Sequence, residues 1–387
     1  MSGFIFNTTP RIIFGNDSSV SSHKEIIKKL GNKIFFITDQ FITHIGLSNS
    51  TINQLLKFSN IRVFDEIESD PSIKTLIKAI EEAKKFRPTG IIGFGGGSSM
   101  DIAKLVSLLI VSKQNIQDIW GVENVKGPRL PLVLIPTTSG TGSEVTPISI
   151  ITLDDNEKKG VSSKIILPDI AVLDPLLSLS LPENITASTG IDAMVHAIEA
   201  YTSMNKNNNP ISRLLAIESL KLIGSSIETS VFDSQNIEAR SNMLLGSMLA
   251  GQAFANSPVG AVHALAYPIG GIFNISHGLS NSLVLPHVIK FNSINKDARD
   301  KYALLAPYIF NDINLNTSSQ SICNEFINKL ESLPIKLNLP SRLRDVDIPK
   351  DACLKMAKES MKQTRLLVNN PRKLEEKDAF NIYNSAW

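Results

Sequence analysis

The chain has 387 residues, of which 42% are hydrophobic and 20% charged, and its formal net charge is +2 at pH 7. This length suggests two domains, and the near-neutral charge argues against nucleic acid as a main partner, because binding phosphates requires a clustered positive surface. The sequence has no run of about 20 apolar residues and no basic-then-apolar leader, so it predicts neither a membrane span nor a signal peptide.

The first part of the chain alternates between short apolar segments and amphipathic helical segments. This alternation predicts an α/β domain whose parallel sheet is covered by helices on both faces. The predicted strands are RIIFG (11–15), KIFFITD (33–39), IRVFDEI (61–67), GIIGFGGG (90–97) and PLVLIPTT (131–138), and the clearest predicted helices cover 72–86 and 99–110.

The pattern becomes mostly helical from about residue 183, with one predicted loop at NKNNNP (205–210). Apolar residues there recur with the spacing of helices rather than strands. We therefore predict an α/β domain over residues 1–180, with Rossmann-like nucleotide binding, followed by an all-α domain over 181–387.

Two glycine- and hydroxyl-rich loops follow predicted strands. In GFGGGSSMDIAK (93–104), glycines would let the backbone approach a ligand, and the start of the helix would present free N–H groups to a pyrophosphate. Ser98 stands where the dinucleotide fingerprint has its third glycine, so a simple tight turn is the alternative. A second loop, PTTSGTGSEVT (136–146), follows the next predicted strand, and the pair favours a shared nucleotide crevice.

Four residues suggest a metal site in the helical part. In GIDAMVHAIEAY (190–201), Asp192 and His196 are four positions apart, which places them on one face of an otherwise apolar helix. His263 and His277 lie in later apolar segments. Each histidine taken alone could be a hydrogen-bonded core residue, but one carboxylate with three imidazoles suits a divalent metal such as Fe²⁺ or Zn²⁺.

The sequence resembles the iron-containing (group III) alcohol dehydrogenases over nearly its whole length. The motifs that carry the resemblance are GFGGGSSMDIAK, PTTSGTGSEVT, ILPDIAVLDP, GIDAMVHAIEAY, HALAYPIGGIFNISHG and NPRKLEEKDAFNIYNSAW. The resemblance implies a dehydroquinate-synthase-like fold, with a nucleotide-binding α/β domain, a helical domain and a metal in the cleft between them.

The resemblance also implies functional residues. It implies metal ligation and catalysis by Asp192, His196, His263 and His277. It implies NAD(P) contacts from Asp39, Gly96, Gly97, Ser98, Asp101, Thr137, Thr138, Thr141, Ser143 and Lys164. Tyr267 stands where many members carry a further histidine with a proton-relay or substrate role, so Tyr267 is a catalytic candidate whose role differs from the family pattern.

These observations predict hydride transfer between a small primary or secondary alcohol, or a diol, and NAD⁺. The metal would act as a Lewis acid on the alcohol oxygen, and the reverse reaction would reduce an aldehyde or ketone. One alternative is an NAD- and metal-dependent lyase of the dehydroquinate-synthase type, which is disfavoured because segments 186–204 and 244–286 contain no Lys or Arg. A non-catalytic nucleotide- or metal-binding scaffold is the other alternative.

The sequence says less about the substrate, the choice of cofactor and the oligomeric state. Phe254, Tyr267 and Phe273 are expected either to form an apolar pocket wall or simply to fill the core, and His287, after Pro286, is expected to begin a helix near the site.

Asp39 is expected to bind an adenosine ribose and favour NAD over NADP, unless it only caps the next helix. The family resemblance implies a homodimer. The spacing of Cys323 and Cys353 is typical of neither metal sites nor disulfides, which favours a cytoplasmic location.

Overall fold

A computed structural model describes residues 3–153 and 157–387, and the chain divides into two compact units. One unit spans Asn7–Ser180, and the other comprises residues 3–6 together with Leu181–Trp387. No helix in these described ranges combines the length and the apolar character needed to cross a membrane.

The unit Asn7–Ser180 is an α/β structure. Its strands are β1 (Arg11–Phe14), β2 (Lys33–Ile37), β3 (Asn60–Phe64), β4 (Gly90–Gly95), β5 (Gly121–Val122), β6 (Leu132–Pro136), β7 (Ile148–Thr152), β8 (Lys158–Ser162) and β9 (Ile170–Leu173). Its helices are α1 (Ser18–Ser21), α2 (His23–Leu30), α3 (Gln40–His44), α4 (Asn49–Leu56), α5 (Ile73–Phe86) and α6 (Gly97–Leu109).

In the described residues, six strands form one parallel sheet in the order β1-β9-β6-β4-β2-β3. Alternate side chains of β2 enter two hydrophobic clusters on opposite faces: Phe35 and Ile37 pack towards α5 and α6, and Ile34 and Phe36 pack towards α2 and α4. A strand buried on both faces has a continuous apolar sequence, which is why KIFFI clearly predicted a strand. The predicted parallel α/β sheet is confirmed.

The boundaries of several elements differ from the prediction. Strand β2 ends at Ile37 rather than residue 39, and β4 ends at Gly95, so that α6 begins at Gly97 rather than residue 99. The sequence pattern did not identify β9, a strand of four residues that pairs with both β1 and β6. Nor did it identify the small sheet formed by β5, β8 and β7.

All regular structure described for Leu181–Trp387 is helical, as predicted. The helices are α7 (Glu183–Thr202), α8 (Pro210–Phe232), α9 (Ile237–Asn256), α10 (Ala261–Phe273), α11 (His277–Asn292), α12 (Lys296–Ile309), α13 (Ser319–Lys336), α14 (Ala352–Ser360), α15 (Thr364–Leu367) and α16 (Glu376–Ala386). The predicted loop at 205–210 lies between α7 and α8 except for Pro210, which begins α8, and the Asn209 side chain accepts hydrogen bonds from Ile211 N and Ser212 N.

The expectation that His287 begins a helix is wrong. Helix α11 begins at His277 and continues through Pro286, so His287 lies in its interior. A proline inside a helix removes one backbone hydrogen bond. Here the helix persists because most of its residues are buried, among them Leu283 and Val284 on the turn before the proline.

Candidate metal centre and cofactor loops

Four predicted ligand residues converge in the helical unit. One ligand atom from each of Asp192, His196, His263 and His277 lies within 4.8 Å of the others. Helix α7 carries the first two residues one turn apart, while α10 and α11 carry the other two. The Nε2 atoms of His196 and His263 are 3.0 Å apart, and His277 Nε2 is 3.6 Å from Asp192 Oδ1.

The chemistry of these donors fits a divalent cation. Asp192 is 2% exposed, and an ionised carboxylate at that depth requires positive or hydrogen-bonding partners. Burial acts to raise the pKa of Asp192, but the three imidazoles and a hydrogen bond from Asn281 hold it below its ordinary value. Three imidazole nitrogens and one carboxylate oxygen form a donor set that both Fe²⁺ and Zn²⁺ accept.

Glu199 is a further residue in contact with this cluster, and the sequence prediction did not include it. Its Oε2 lies 2.6 Å from His263 Nδ1, and its Oε1 accepts a hydrogen bond of 2.7 Å from Val262 N. A carboxylate at Nδ1 favours a proton there, which leaves Nε2 unprotonated and directed at the other donors. Glu199 continues the spacing of Asp192 and His196 on one face of α7, and this i, i+4, i+7 pattern could have identified it.

Asn281 is a second residue that was missed. It lies on α11 one turn after His277, and its Nδ2 donates a hydrogen bond of 2.7 Å to Asp192 Oδ1. The same nitrogen is 3.4 Å from Nε2 of His263 and from Nε2 of His277. Asn281 therefore faces the space that the four donor atoms enclose.

Close packing positions the ligand helices. The Phe254 ring stacks on His196 with a centroid distance of 4.3 Å and an interplanar angle of 14°. Gly278 follows His277 directly, and a Cβ at this position would lie 2.3 Å from Ser188 O on α7. The backbones of α11 and α7 thus meet beside the predicted metal ligands with no room for a side chain.

Tyr267 lies next to this cluster. Its ring centroid is 6.0 Å from that of His277, and Arg365 Nη2 lies 3.5 Å from its hydroxyl oxygen. The position on α10, four residues after His263, places it one helical turn from a ligand. Its catalytic role stays a prediction.

The predicted cofactor loops lie at the carboxyl edge of the parallel sheet. Strand order reverses between β2 and β4, because β3 lies beyond β2 on one side and β6 beyond β4 on the other. Ligand crevices in open parallel sheets form at such a reversal. Asp39 follows β2, and Gly96, Gly97 and Ser98 follow β4 at the start of α6.

The two glycine- and hydroxyl-rich loops are adjacent in the structure. Thr137 N donates a hydrogen bond of 3.0 Å to Gly95 O, and a Cβ at Gly97 would lie 2.8 Å from the Thr141 side chain. A Cβ at Gly96 would meet Thr138 at an ordinary contact distance. The backbone at the start of α6 is thus open at Gly96 and closely packed at Gly97.

Asp39 has the capping geometry that was the alternative to ribose binding. Its Oδ1 accepts a hydrogen bond of 2.9 Å from Ile42 N at the start of α3. Burial raises the pKa of Asp39, against the hydrogen bonds from the α3 backbone, and the nearby Asp65 acts in the same direction as burial. A capping carboxylate keeps further acceptor sites, so the ribose role stays a prediction.

The side chains of Asp101 and Ser143 form a hydrogen bond inside the α/β unit. Ser143 Oγ donates to Asp101 Oδ1 at 2.6 Å and accepts from Lys104 Nζ at 2.7 Å. Lys104 is fully buried, its Nζ also donates to Ile148 O at 2.6 Å, and burial lowers its pKa to about 8. This network fixes the second loop to α6.

Lys164 and Glu144 are two further charged residues near these segments. Lys164 is exposed, and its backbone N–H donates a hydrogen bond of 3.4 Å to Glu123 Oε1. Glu144 is buried beside Lys104, and burial raises its pKa to about 7. The contacts of Lys164 with a cofactor stay a prediction.

Comparison with known proteins identifies the family. The Iron-containing alcohol dehydrogenase family model matches residues 9–175, and the model of the C-terminal part of the Fe-containing alcohol dehydrogenase family matches residues 186–387. The chain therefore belongs to the iron-containing alcohol dehydrogenase family, which confirms the resemblance read from the motifs.

Individual relatives cover almost the whole chain. Long-chain-alcohol dehydrogenase 1 of Geobacillus thermodenitrificans is 38% identical over 371 residues, which span 93% of this chain and 91% of the relative. NAD-dependent methanol dehydrogenase of Bacillus methanolicus is 31% identical over 363 residues, 93% of this chain and 94% of the relative. The crystal structure of a 1,3-propanediol oxidoreductase matches with a TM-score of 0.94 at 29% identity and covers 100% of both chains.

Proposed function

We propose that this chain catalyses the reversible NAD-dependent oxidation of a small primary or secondary alcohol, or of a diol, with Fe²⁺ bound by Asp192, His196, His263 and His277. The observation that carries the proposal is the convergence of these four donors within 4.8 Å in a member of this family. Zn²⁺ is the alternative metal, because the same donor set accepts it. The named alcohol substrates and the NAD dependence of the relatives support the reaction class.

When bound, the metal supplies a Lewis acid for the oxygen of the alcohol or carbonyl substrate. The residues of the chain prepare that site. Asp192 contributes the negative charge, Glu199 holds a proton at His263 Nδ1 so that Nε2 faces the other donors, and Asn281 donates a hydrogen bond to Asp192. Phe254 covers one face of the His196 ring.

We assign dinucleotide binding to the unit Asn7–Ser180. The free N–H groups at the start of α6 suit a pyrophosphate, and they belong to the predicted residues Gly96, Gly97 and Ser98. Hydroxyl groups in the adjacent loop, at Thr137, Thr138 and Thr141, supply further donors. The carboxylate of Asp39 at the strand-order reversal suits an adenosine ribose and favours NAD, with NADP as the alternative.

Homodimer formation and a cytoplasmic location belong to the same proposal. Strand β1 forms an edge of the six-stranded sheet, and Phe14 at its end is exposed, which suits pairing with a second copy. The family resemblance favours a dimer. Cys323 and Cys353 are both free thiols, which suits a reducing compartment.

The test is a reconstitution assay. Metal-free protein is refilled with Fe²⁺ or Zn²⁺, supplied with NAD⁺ or NADP⁺, and followed by NADH or NADPH absorbance with a panel of small alcohols that includes a 1,3-diol. Metal content is measured on the same samples by elemental analysis. We expect alcohol-dependent NADH formation that increases with metal content.

Two outcomes would replace this proposal by its alternatives. Binding of metal and NAD⁺ without turnover of any alcohol would indicate a scaffold. Consumption of a carboxylated, phosphorylated substrate with no net NADH would indicate a lyase.

A further inference from the structure

A cavity of about 560 Å³ lies in the helical unit and contains none of the four metal donors. Its walls are one face of α11, one face of α13, the 3₁₀ turn Leu343–Val346 and the end of α16. Cavities that bind small molecules typically have volumes of roughly 300–1,000 Å³. The proposed reaction leaves this space without a role.

The charged side chains that line the cavity are mostly cationic. Lys290, Arg342 and Arg344 line it, and Glu331 is the acidic residue among the described lining residues. In the described parts of the chain, none of these three cations is paired with a carboxylate. The charged side chains of the cavity wall are therefore predominantly cationic, and they are open to solvent or to a ligand.

The wall of the cavity also contains an unsatisfied polar group. Ser282 is 2% exposed, and its Oγ has no hydrogen-bond partner among the described residues. Five residues further along α11, burial and the charge of Lys290 lower the pKa of His287 to about 4. The imidazole is therefore neutral near pH 7 and can both donate and accept a hydrogen bond.

An aromatic–cation contact with Trp387 holds Arg344, one of the cations of the wall, in place. Arg344 and Lys350 lie over the Trp387 ring, at 5.4 and 5.1 Å from its centroid. The indole Nε1 donates a hydrogen bond of 2.8 Å to Ile348 O, which fixes the ring. A guanidinium that is oriented before binding loses less conformational freedom when it meets an anion.

We propose that this cavity binds a small phosphate-bearing molecule through Lys290, Arg342 and Arg344, with Ser282 as a hydrogen-bond donor in the wall. Guanidinium groups match the geometry of phosphate oxygens and can contact two at once. A phosphate monoester carries about −1.5 to −2 charges near pH 7, which suits a wall whose charged side chains are mostly cationic. The site shares no residue with the proposed cofactor loops, which belong to the other unit.

Calorimetric titration of the full-length protein with pyrophosphate tests the proposal. NAD⁺ is kept at a saturating concentration so that the cofactor loops are filled, and sodium chloride at matched ionic strength replaces pyrophosphate in the blank. We expect one pyrophosphate site per chain. Arg342→Ala/Arg344→Ala should weaken this binding by about tenfold or more, because charge-assisted hydrogen bonds are the strong ones, and should leave NAD-dependent turnover unchanged.

The matched control removes two exposed lysines elsewhere in the same unit, as Lys206→Ala/Lys355→Ala. If both double variants weaken binding equally, general charge attraction explains the result and the proposal is wrong. Absence of pyrophosphate binding in the presence of NAD⁺, or binding that the arginine variant leaves unchanged, also overturns it. If the arginine variant does not fold, as judged by circular dichroism, Lys290→Gln provides the same comparison.

Discussion

Glu199 Oε2 lies 2.6 Å from His263 Nδ1, and the second oxygen of the same carboxylate accepts a hydrogen bond from Val262 N. Glu199 thus holds both the imidazole and the backbone at the start of the helix that carries it. Rotating the His263 ring away from the other donors would break a short hydrogen bond to a buried acid. We therefore expect Glu199 to act as a positioning residue for His263, a predicted metal ligand.

Replacing Glu199 with Gln should weaken metal binding. A glutamine has a single acceptor oxygen, which cannot serve both His263 Nδ1 and Val262 N as the carboxylate does. Loss of such a partner typically reduces metal affinity by about 10- to 100-fold. Competition with a chelator measures the affinity directly, and Glu183→Gln, in the exposed first turn of the same helix, is the control. Equal affinity in the two variants would contradict the assignment.

Replacing His277 with Ala should abolish turnover while the chain remains folded. The substitution removes one of four metal donors, so metal content per chain and activity should fall together, while the circular dichroism spectrum stays that of the wild type. The exposed His44 provides the control as His44→Ala. A variant without metal that still turned over at the wild-type rate would show that these four residues are not the catalytic metal site.

Asp39 should select NAD over NADP by repelling the 2′-phosphate. At about 4 Å and an effective dielectric constant near 20, one pair of like charges costs about 4 kcal/mol before screening. Even a quarter of that energy corresponds to about a fivefold preference for NAD⁺ over NADP⁺. We expect Asp39→Gly to raise kcat/KM for NADP⁺ relative to NAD⁺ by about tenfold or more.

Because Asp39 also caps α3, Asp39→Asn is the sharper variant. Asparagine is an equally good cap but carries no charge. It should shift the cofactor preference in the same direction without the helix losing its cap. If the ratio of the two kcat/KM values is the same in wild type and in both variants, Asp39 acts only as a cap.

Glu144 should make stability depend on pH between its unfolded and folded pKa values. Burial raises the folded pKa to about 7, so the contribution of Glu144 is fully present below about pH 4 and is lost as the pH rises through 7. Glu144→Gln removes this titration. The thermal midpoint of the variant should therefore rise relative to that of the wild type as the pH increases from 5 to 7.5. A difference between the two midpoints that does not change with pH would contradict the prediction.

The sequence predicts most clearly those features that local periodicity determines. Strand β2 is buried on both faces and reads as KIFFI, and Asp192 and His196 show helical spacing on α7. Strand β9 has four residues, and its place between β1 and β6 depends on long-range pairing. Local pattern does not contain that pairing.

Hydrogen bonds between side chains of different helices also could not be predicted from the local sequence pattern. Asn281 reaches Asp192 only because α11 packs on α7. The hydrogen bond between Glu199 and His263 likewise joins two helices, α7 and α10. Pro286 misled the prediction for His287, because a proline usually indicates a helix start, whereas here burial of the surrounding turns keeps the helix continuous.

The lack of a side chain at Gly278 allows helices α11 and α7 to approach closely beside the predicted metal donors. Ordinary contact with a Cβ begins at 3.4 Å, whereas a Cβ here would stand 2.3 Å from Ser188 O. A single methyl group would thus push α11 about 1 Å from α7, while metal–ligand bonds tolerate only about 0.2 Å. We therefore expect any side chain at position 278 to displace His277 from the other three predicted metal donors, so that His277 and Gly278 act together.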